Sequence, residues 1–232
     1  MENEQNKLKV VIVGNTNVGK SSILSRLVNN EYKDESNPTI GLDYFAYRFR
    51  ENNCNIKLVL WDTAGQEQFD SIIKLYFKDI YLLLVIADIN DSKSCKDIEK
   101  WIVKVINENK DSNIYANKNI KELPILLIFN KIDLRNINTI QSYDCEKIYR
   151  NLLIKYKKIK YIEVSAKKNI NIDKLEIILK DIVIDNYSNS LQKSKKMFKN
   201  NKEKCFDNIC ASNRYNDLDE IKTNRISCCH IT

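Results

Sequence analysis

Apolar runs alternate with polar stretches of helical periodicity along most of this chain of 232 residues. Short apolar runs bounded by polar turns are typical of strands that are buried on both faces. Such strands are predicted at residues 8–13, 42–50, 56–61, 81–87, 125–129 and 160–164. Helices are predicted at residues 19–29, 92–107, 141–156 and 172–187, with a fifth around residues 68–79. The alternation predicts an α/β fold with a six-stranded, mostly parallel sheet, in which the second and third strands pair through a turn at residues 52–53.

Two regions depart from this pattern. Residues 107–123 are polar, rich in Asn and Lys, and without periodicity, which indicates a surface loop. After residue 187 aliphatic side chains become rare, and Lys, Asn and Ser dominate. Such a segment cannot bury enough apolar surface to fold by itself. We therefore expect one folded domain over residues 7–187 and a flexible basic tail over residues 188–232.

The four glycines of the chain are Gly14, Gly19, Gly41 and Gly65. The first two frame a segment between the first predicted strand and the first predicted helix, which reads Gly14-Asn15-Thr16-Asn17-Val18-Gly19-Lys20-Ser21. This is the context of the pattern G-x-x-x-x-G-K-[ST], whose main-chain amides and helix N-terminus cradle phosphate oxygens. The sequence therefore predicts a P-loop that binds a nucleotide through residues 15–22, Ser22 included. In it Lys20 reaches the terminal phosphates, and the Ser21 hydroxyl holds Mg²⁺.

A second polar segment, Trp61-Asp62-Thr63-Ala64-Gly65-Gln66-Glu67, begins where the third predicted strand ends. Ligands of α/β proteins bind outside the carboxyl ends of the strands. Asp62 is thus predicted to hold Mg²⁺ through a water, and the Gly65 N–H to contact a γ-phosphate. Gln66 is predicted to orient the attacking water, which makes it a catalytic candidate together with Lys20. Taken alone, the segment is equally compatible with an ordinary strand-to-helix turn, and the P-loop decides between the two interpretations.

The segments Asn130-Lys131-Ile132-Asp133 and Ser165-Ala166-Lys167 follow the fifth and sixth predicted strands. A carboxylate can accept hydrogen bonds from the N1–H and 2-amino groups of guanine, whereas adenine has no donor at N1. Asp133 is therefore predicted to select guanine, with the stem of Lys131 along the base and the Ala166 N–H donating to guanine O6. GTP and GDP are the predicted ligands, which argues against an ATP-dependent phosphotransferase.

With these motifs the sequence closely resembles the Ras superfamily of small GTPases and, within it, the Rab family, over about residues 7–187. Five nucleotide motifs occur in the family's order, and the remaining one is the first switch, Pro38-Thr39-Ile40-Gly41. The resemblance implies a P-loop NTPase fold of the Ras-like type. It also implies that Thr39 binds Mg²⁺ and the γ-phosphate and that Tyr32 packs beside the guanine. The implied function is a monomeric switch between GTP and GDP in vesicle and membrane trafficking.

Features of the Rab family occur at residues 40–44, 57–61 and 76–79, which resemble its IGxDF, KLxxW and YYRxA stretches. The resemblance implies that Tyr44, Trp61 and Tyr76 form an effector-binding surface. The alternative is that these three are ordinary core aromatics, and the sequence alone does not distinguish the two.

The last residues, Cys228-Cys229-His230-Ile231-Thr232, resemble the paired-cysteine endings of Rab proteins. The resemblance implies that Cys228 and Cys229 carry geranylgeranyl groups, and two lipid chains give stable anchoring where one is marginal. Six lysines upstream add attraction to an anionic membrane: Lys193, Lys195, Lys196, Lys199, Lys202 and Lys204. The implied partners are an exchange factor, a GAP, an escort or GDI-type chaperone, a prenyltransferase and effectors. The implied location is the cytoplasmic face of an endomembrane or vesicle, in exchange with the cytosol.

Composition and charge exclude some classes and leave two alternatives. No run approaches about 18 consecutive apolar residues, so a transmembrane class is not expected. The net charge of +7 suits nucleic acid, but overall charge by itself is weak evidence for a ligand, and we expect no nucleic-acid partner.

The other alternative is a nucleotide-binding pseudo-GTPase that acts as a trafficking scaffold. The motif residues needed for hydrolysis argue for an enzyme. Since the P-loop and the first switch lack Arg, intrinsic hydrolysis is expected to be slow, and a GAP to raise it by about 10³ to 10⁵.

Overall fold

The computed structural model describes residues 6–34, 42–51, 54–63, 77–108 and 122–186. Its strands are β1 (Asn6–Val13), β2 (Leu42–Glu51), β3 (Cys54–Thr63), β4 (Leu82–Asp88), β5 (Ile125–Asn130) and β6 (Ile159–Glu163). Its helices are α1 (Lys20–Asn29), α2 (Ser92–Lys96), α3 (Ile98–Glu108), α4 (Ser142–Leu153) and α5 (172–186), with a 3₁₀ turn at Ile132–Leu134. These elements confirm the predicted α/β fold.

The six strands form one sheet in the order β2-β3-β1-β4-β5-β6. Only β2 is antiparallel to its neighbour, with Leu42 opposite Thr63, and the other pairs are parallel. The carboxyl ends of β1, β3, β4, β5 and β6 therefore lie along one edge of the sheet. The segments that follow these strands include most of the polar motifs of the sequence, which places the candidate site at this edge.

The core has two layers because successive residues of a strand point to opposite faces of the sheet. In β1, Val10 and Ile12 belong to one buried cluster, and Val11 and Val13 belong to the other. The first cluster includes side chains of α1 and α5, among them Ile23, Leu24, Leu175 and Leu179. The second includes side chains of α3 and α4, among them Trp101, Ile102, Cys145 and Leu152. Helices therefore cover both faces, and the strands are fixed firmly enough to position the loops at their carboxyl ends.

The helix predicted at residues 92–107 is wrong in one respect, since the structure has two helices that are separated at Asp97. The Asp97 amide still donates to the Lys93 carbonyl, but its side chain accepts a hydrogen bond from Asn15 of the P-loop. This tertiary contact coincides with the break, and helical periodicity contains no sign of it. The predicted β4 and β6 bounds are shifted by one residue.

Several predictions fall outside the described residues. They are the turn at 52–53, most of the helix around 68–79, nearly all of the loop at 107–123 and the tail. Residues Met1–Ile184 form one compact unit, and of a second unit, Asp185–Thr232, the structure describes only the helical residues 185 and 186. Among the described helices, none combines the length and apolar character that a bilayer crossing requires.

Candidate nucleotide-binding site

The predicted P-loop is a tight turn between β1 and α1 at the carboxyl edge of the sheet. Gly14, Asn17 and Gly19 adopt positive φ angles of 149°, 62° and 93°. A Cβ atom at Gly14 would lie 2.2 Å from the Ile86 carbonyl oxygen, and one at Gly19 would lie 2.4 Å from Asn130 Nδ2. A side chain at Gly14 would displace the backbone of β4, and one at Gly19 would displace the Asn130 side chain. The two glycines therefore let the loop pack directly on the ends of β4 and β5.

Lys20 is buried at the start of α1, with 6% of its surface exposed. Its Nζ donates to the carbonyl oxygens of Gly14, at 3.1 Å, and of Asn15, at 2.9 Å. Burial lowers the pKa of Lys20 to about 8, although the negative charge of Asp62 opposes this shift. The side chain thus spans the loop and places a cation where the motif predicts phosphate.

The two predicted Mg²⁺ ligands of the described chain are in contact with each other. The Ser21 hydroxyl donates a hydrogen bond to Asp62 Oδ2, and Asp62 is 1% exposed at the end of β3. The neighbouring Thr63 hydroxyl donates to the Ile12 carbonyl oxygen at 2.7 Å, which ties this end of β3 to β1. A hydroxyl and a carboxylate side by side are a donor set that suits a hard, oxygen-preferring cation such as Mg²⁺. The residues present fit the predicted metal.

The predicted base-recognition segments are joined to the P-loop and to each other by side-chain hydrogen bonds. Asn130 donates through Nδ2 to the Val18 carbonyl oxygen, at 2.9 Å, and accepts at Oδ1 from the Ala166 amide, at 3.2 Å. The Ser165 hydroxyl donates to Asp133 Oδ1 at 2.5 Å. The Ala166 amide, predicted to bind guanine O6, is thus already engaged with Asn130. The two segments form one connected wall.

Lys131 connects this wall to the P-loop. Its backbone is in the left-handed region, with φ of 66°, and its Nζ donates to the Asn17 carbonyl oxygen at 2.7 Å. The same ammonium forms an ion pair of 2.8 Å with Asp88 Oδ2 at the end of β4. Asp88 is buried and also binds the amide of Asn90. Sequence reasoning gave Asp88 no role in the site, although its place directly after a strand was a usable signal.

A cavity of about 270 Å³ opens between these elements. Its lining comprises Asn17, Gly19, Ser22, Tyr32, Lys33, Asp34, Asn130, Lys131, Asp133, Leu134, Ala166 and Lys167. All of these except Lys33, Asp34 and Leu134 were predicted from the sequence to bind GTP. At the rim, Lys167 Nζ and Asp34 Oδ1 form an exposed ion pair of 2.6 Å. The structure therefore brings the P-loop, Tyr32 and both base-recognition segments around a single space.

Asn15 has a different role from most of its predicted neighbours. Its Nδ2 donates to Asp97 Oδ2 at 2.9 Å, and its Oδ1 accepts from the Trp101 indole at 2.8 Å. The side chain thus anchors the P-loop to the junction of α2 and α3, and any contact with a nucleotide falls to the main chain of Asn15. Thr16 is exposed in the same loop, whereas Val18 is buried in the core.

Of the predicted effector surface, the structure describes two members. The rings of Tyr44 and Trp61 lie opposite each other on β2 and β3, with centroids 5.8 Å apart. Tyr44 is 64% exposed, so it is not a core residue, and Trp61 is half-buried. The other predicted site residues outside the described ranges are Thr39, Gly65, Gln66, Tyr76, Cys228 and Cys229.

Comparison with known proteins gives one family. The sequence profile of the Ras family matches residues 9–184. Ras-related protein YPTC6 of Chlamydomonas reinhardtii is 32% identical over 166 residues, which are 72% of this chain and 70% of that protein. Ras-related protein Rab11A of Nicotiana tabacum is 31% identical over 75% of this chain and 74% of its own length. Ras-related protein Rab-32D of Dictyostelium discoideum is 31% identical over 78% and 76%, respectively.

Proposed function

The chain belongs to the Rab family of Ras-superfamily small GTPases, and from this premise we propose how its own residues bind and hydrolyse GTP. As a member it is a GTP-binding molecular switch in trafficking and an enzyme that converts GTP to GDP and phosphate. The assignment of individual residues, regulators and membrane attachment is our proposal. The observation that supports it most is the shared cavity, because P-loop and guanine-selecting residues line the same space.

At the phosphate end, the main-chain amides of residues 15–22 and the N-terminus of α1 bind the phosphates. Lys20 contributes a buried positive charge directed at the terminal phosphates, and as a fixed cation it stabilises charge that develops during transfer. Ser21 and Asp62, together with Thr39, would hold Mg²⁺, with Asp62 acting through a water. When bound, the ion would neutralise negative charge on the phosphates.

At the base end, Asp133 accepts hydrogen bonds from guanine N1–H and the 2-amino group, and Lys131 and Tyr32 pack along the base. Asn130 positions this end relative to the P-loop through Val18. Ser165 supports Asp133, since its hydroxyl fixes the orientation of that carboxylate. The remaining proposed contacts are made by Ala166 and Lys167.

Hydrolysis depends on Gln66, which orients the attacking water, while Thr39 and Gly65 sense the γ-phosphate. Loss of that phosphate releases both loops, so that effectors on the surface around Tyr44, Trp61 and Tyr76 bind one state only. The intrinsic rate is slow, and a GAP supplies the missing stabilisation of charge. An exchange factor, effectors and a GDI-type chaperone complete the proposed set of partners.

Single-turnover hydrolysis of GTP by the purified, magnesium-loaded protein tests this proposal. Gln66→Leu is expected to retain GTP affinity but to lose nearly all GAP-stimulated turnover, because only the water-orienting group is removed. Unchanged stimulated turnover would contradict the role of Gln66. GTP binding without any hydrolysis in the wild-type chain would instead favour the pseudo-GTPase alternative.

Membrane attachment is proposed to occur through geranylgeranyl groups on Cys228 and Cys229, helped by the lysine-rich tail. The tagged chain is expected on the cytoplasmic face of an endomembrane, and the double variant Cys228→Ser, Cys229→Ser throughout the cytosol. A matched Cys205→Ser, Cys210→Ser variant is the control and is expected to behave like wild type. Identical distributions of the wild type and the terminal double variant would contradict lipid anchoring.

A further inference from the structure

Arg26 lies in the last turn of α1 and reaches the loop that follows β6. Its Nε donates to the Ala166 carbonyl oxygen at 3.0 Å, and its Nη2 donates to the Lys167 carbonyl oxygen at 3.4 Å. A third donor, Nη1, bonds the Asn30 carbonyl oxygen at 2.9 Å and so holds the end of α1. The guanidinium carbon also lies 5.8 Å from the centroid of the Tyr32 ring. One half-buried side chain therefore connects three parts of the cavity wall, namely α1, the loop after β6 and Tyr32.

The loop that Arg26 holds carries the contacts to the base-selecting side chains. Through the Ala166 amide it binds Asn130 at 3.2 Å, and through the Ser165 hydroxyl it binds Asp133 at 2.5 Å. Beyond β6 the loop is closed by an isolated bridge between Ser165 and Ile170. Arg26 thus donates to two carbonyl oxygens within this closed turn. A displacement of the loop would therefore move the groups that bind Asn130 and Asp133.

We propose that Arg26 is a positioning residue of the base pocket: it fixes the Ser165–Ala166–Lys167 loop and Tyr32 against α1, so that Asn130 stays in place and Asp133 selects guanine. This proposal rests on the proposed function, since it requires the base to occupy the cavity described above. Arg26 acts from behind the cavity wall and is not one of the described lining residues.

Arg26 also connects the base end of the site to the phosphate end. Because α1 begins at Lys20 and Ser21, the helix that holds the phosphates also holds the base loop. Arg26 thereby fixes the distance between the two ends of the site. The planar guanidinium has several donors in a rigid arrangement, and the single ammonium of a lysine cannot replace all of them.

The test compares GDP with IDP, whose base lacks the 2-amino group that Asp133 is proposed to bind. Dissociation of fluorescent GDP and the affinities for GDP and IDP are measured for wild type, Arg26→Gln, Arg26→Lys and Arg150→Gln. Arg150 is the matched control, because it is an exposed arginine on α4 that pairs with Glu146. Arg26→Gln is expected to release GDP about tenfold faster and to lose most of the preference for GDP over IDP. Arg26→Lys is expected to be intermediate, and Arg150→Gln to match wild type.

The preference for GDP over IDP is the decisive readout, because a general loss of stability would weaken both nucleotides equally. A change of less than about twofold in GDP dissociation, or an equal change for GDP and IDP, would overturn the positioning role. If Arg26→Gln does not fold, Arg26→Lys decides, and a wild-type preference in that variant overturns the proposal. Wild-type protein that binds no GDP overturns the proposed function itself. Wild-type protein that binds GDP while Arg26→Gln behaves identically overturns only the inference about Arg26.

Discussion

The P-loop, which forms most of the phosphate end of the site, is one contiguous stretch of chain, whereas the base end is assembled from segments that are far apart in sequence. Lys20 bonds carbonyl oxygens five and six residues away. In contrast, Asn130 bonds Val18 across 112 residues, and Arg26 bonds Ala166 across 140. The shape of the P-loop is therefore set mainly by local backbone geometry, and that of the base end by long-range side-chain hydrogen bonds. The two ends should respond differently to substitution.

Gly19 is the point where the two ends meet. Its backbone has the positive φ that the P-loop requires, and its α-carbon faces the Asn130 side chain so closely that no Cβ fits. The close packing allows Asn130 to reach the Val18 carbonyl oxygen. The phosphate and base ends are thus separate in construction but in direct contact.

The largest loss of GDP affinity is expected from a substitution at the phosphate end. Lys20→Ala should lower GDP affinity by roughly a hundredfold to a thousandfold, because it removes a buried cation that faces phosphate. Calorimetric titration measures the change, and Lys147→Ala, an exposed lysine on α4, is the control. Residual binding by Lys20→Ala should still favour GDP over ADP, since the base end is intact. Loss of that preference would contradict the separation of the two ends.

The second largest loss of GDP affinity is expected from a substitution at the base end. Asp133→Asn should lower GDP affinity by about a hundredfold, because the carboxylate that accepts from the guanine edge is replaced by an amide. Asp181→Asn, an exposed aspartate on α5, serves as the control. Chelation of Mg²⁺ should accelerate nucleotide dissociation by the same factor in Asp133→Asn as in wild type. A different factor would mean that Asp133 also acts at the phosphate end.

A smaller effect is expected behind the P-loop. Trp101→Phe removes the indole that donates to Asn15 Oδ1, and it should lower the free energy of unfolding by about 1–3 kcal/mol. The GDP affinity should change by no more than about threefold, because Asn15 keeps its other anchor, the hydrogen bond to Asp97. Urea unfolding at a fixed GDP concentration and calorimetry measure the two quantities. An affinity loss that exceeds the stability loss would assign the Asn15 side chain a direct part in nucleotide binding.

The smallest effect is expected at the rim of the base end. Asp34→Asn breaks the ion pair with Lys167, in which both side chains are largely exposed to solvent. Because exposed ion pairs contribute little and are screened by salt, GDP dissociation should change by no more than about twofold. The difference should vanish at high salt, as followed by fluorescent GDP release. A larger effect that persists at high salt would make the rim part of the binding machinery.

The contrast between the two ends also explains which parts of the site could be predicted from sequence. The P-loop can be predicted from the sequence because its glycines, Lys20 and Ser21 are close together in the chain and lie between a strand and a helix. Asn130, Asp133 and the segment at 165–167 were found because each follows a predicted strand. Parallel strands bring such segments to one edge, so their convergence followed from the fold class.

Contacts that depend on folding were not predictable in the same way. Arg26 is, in the sequence, an ordinary basic residue in the last turn of a helix, where such residues are common. The break of the helix at Asp97 coincides with a contact to Asn15, which is 82 residues away. Neither Arg26 nor Asp97 belongs to a motif, and helical periodicity carries no information on contacts with residues so far away in the sequence.

The central claim is that a single guanine nucleotide bridges the P-loop and the Asn130 to Asp133 segment. Calorimetric titration of the purified, magnesium-loaded full chain with GDP and with ADP tests it most directly. GDP is expected to bind at least about a hundredfold more tightly than ADP. Equal affinity for the two nucleotides, or no binding of GDP, would contradict it.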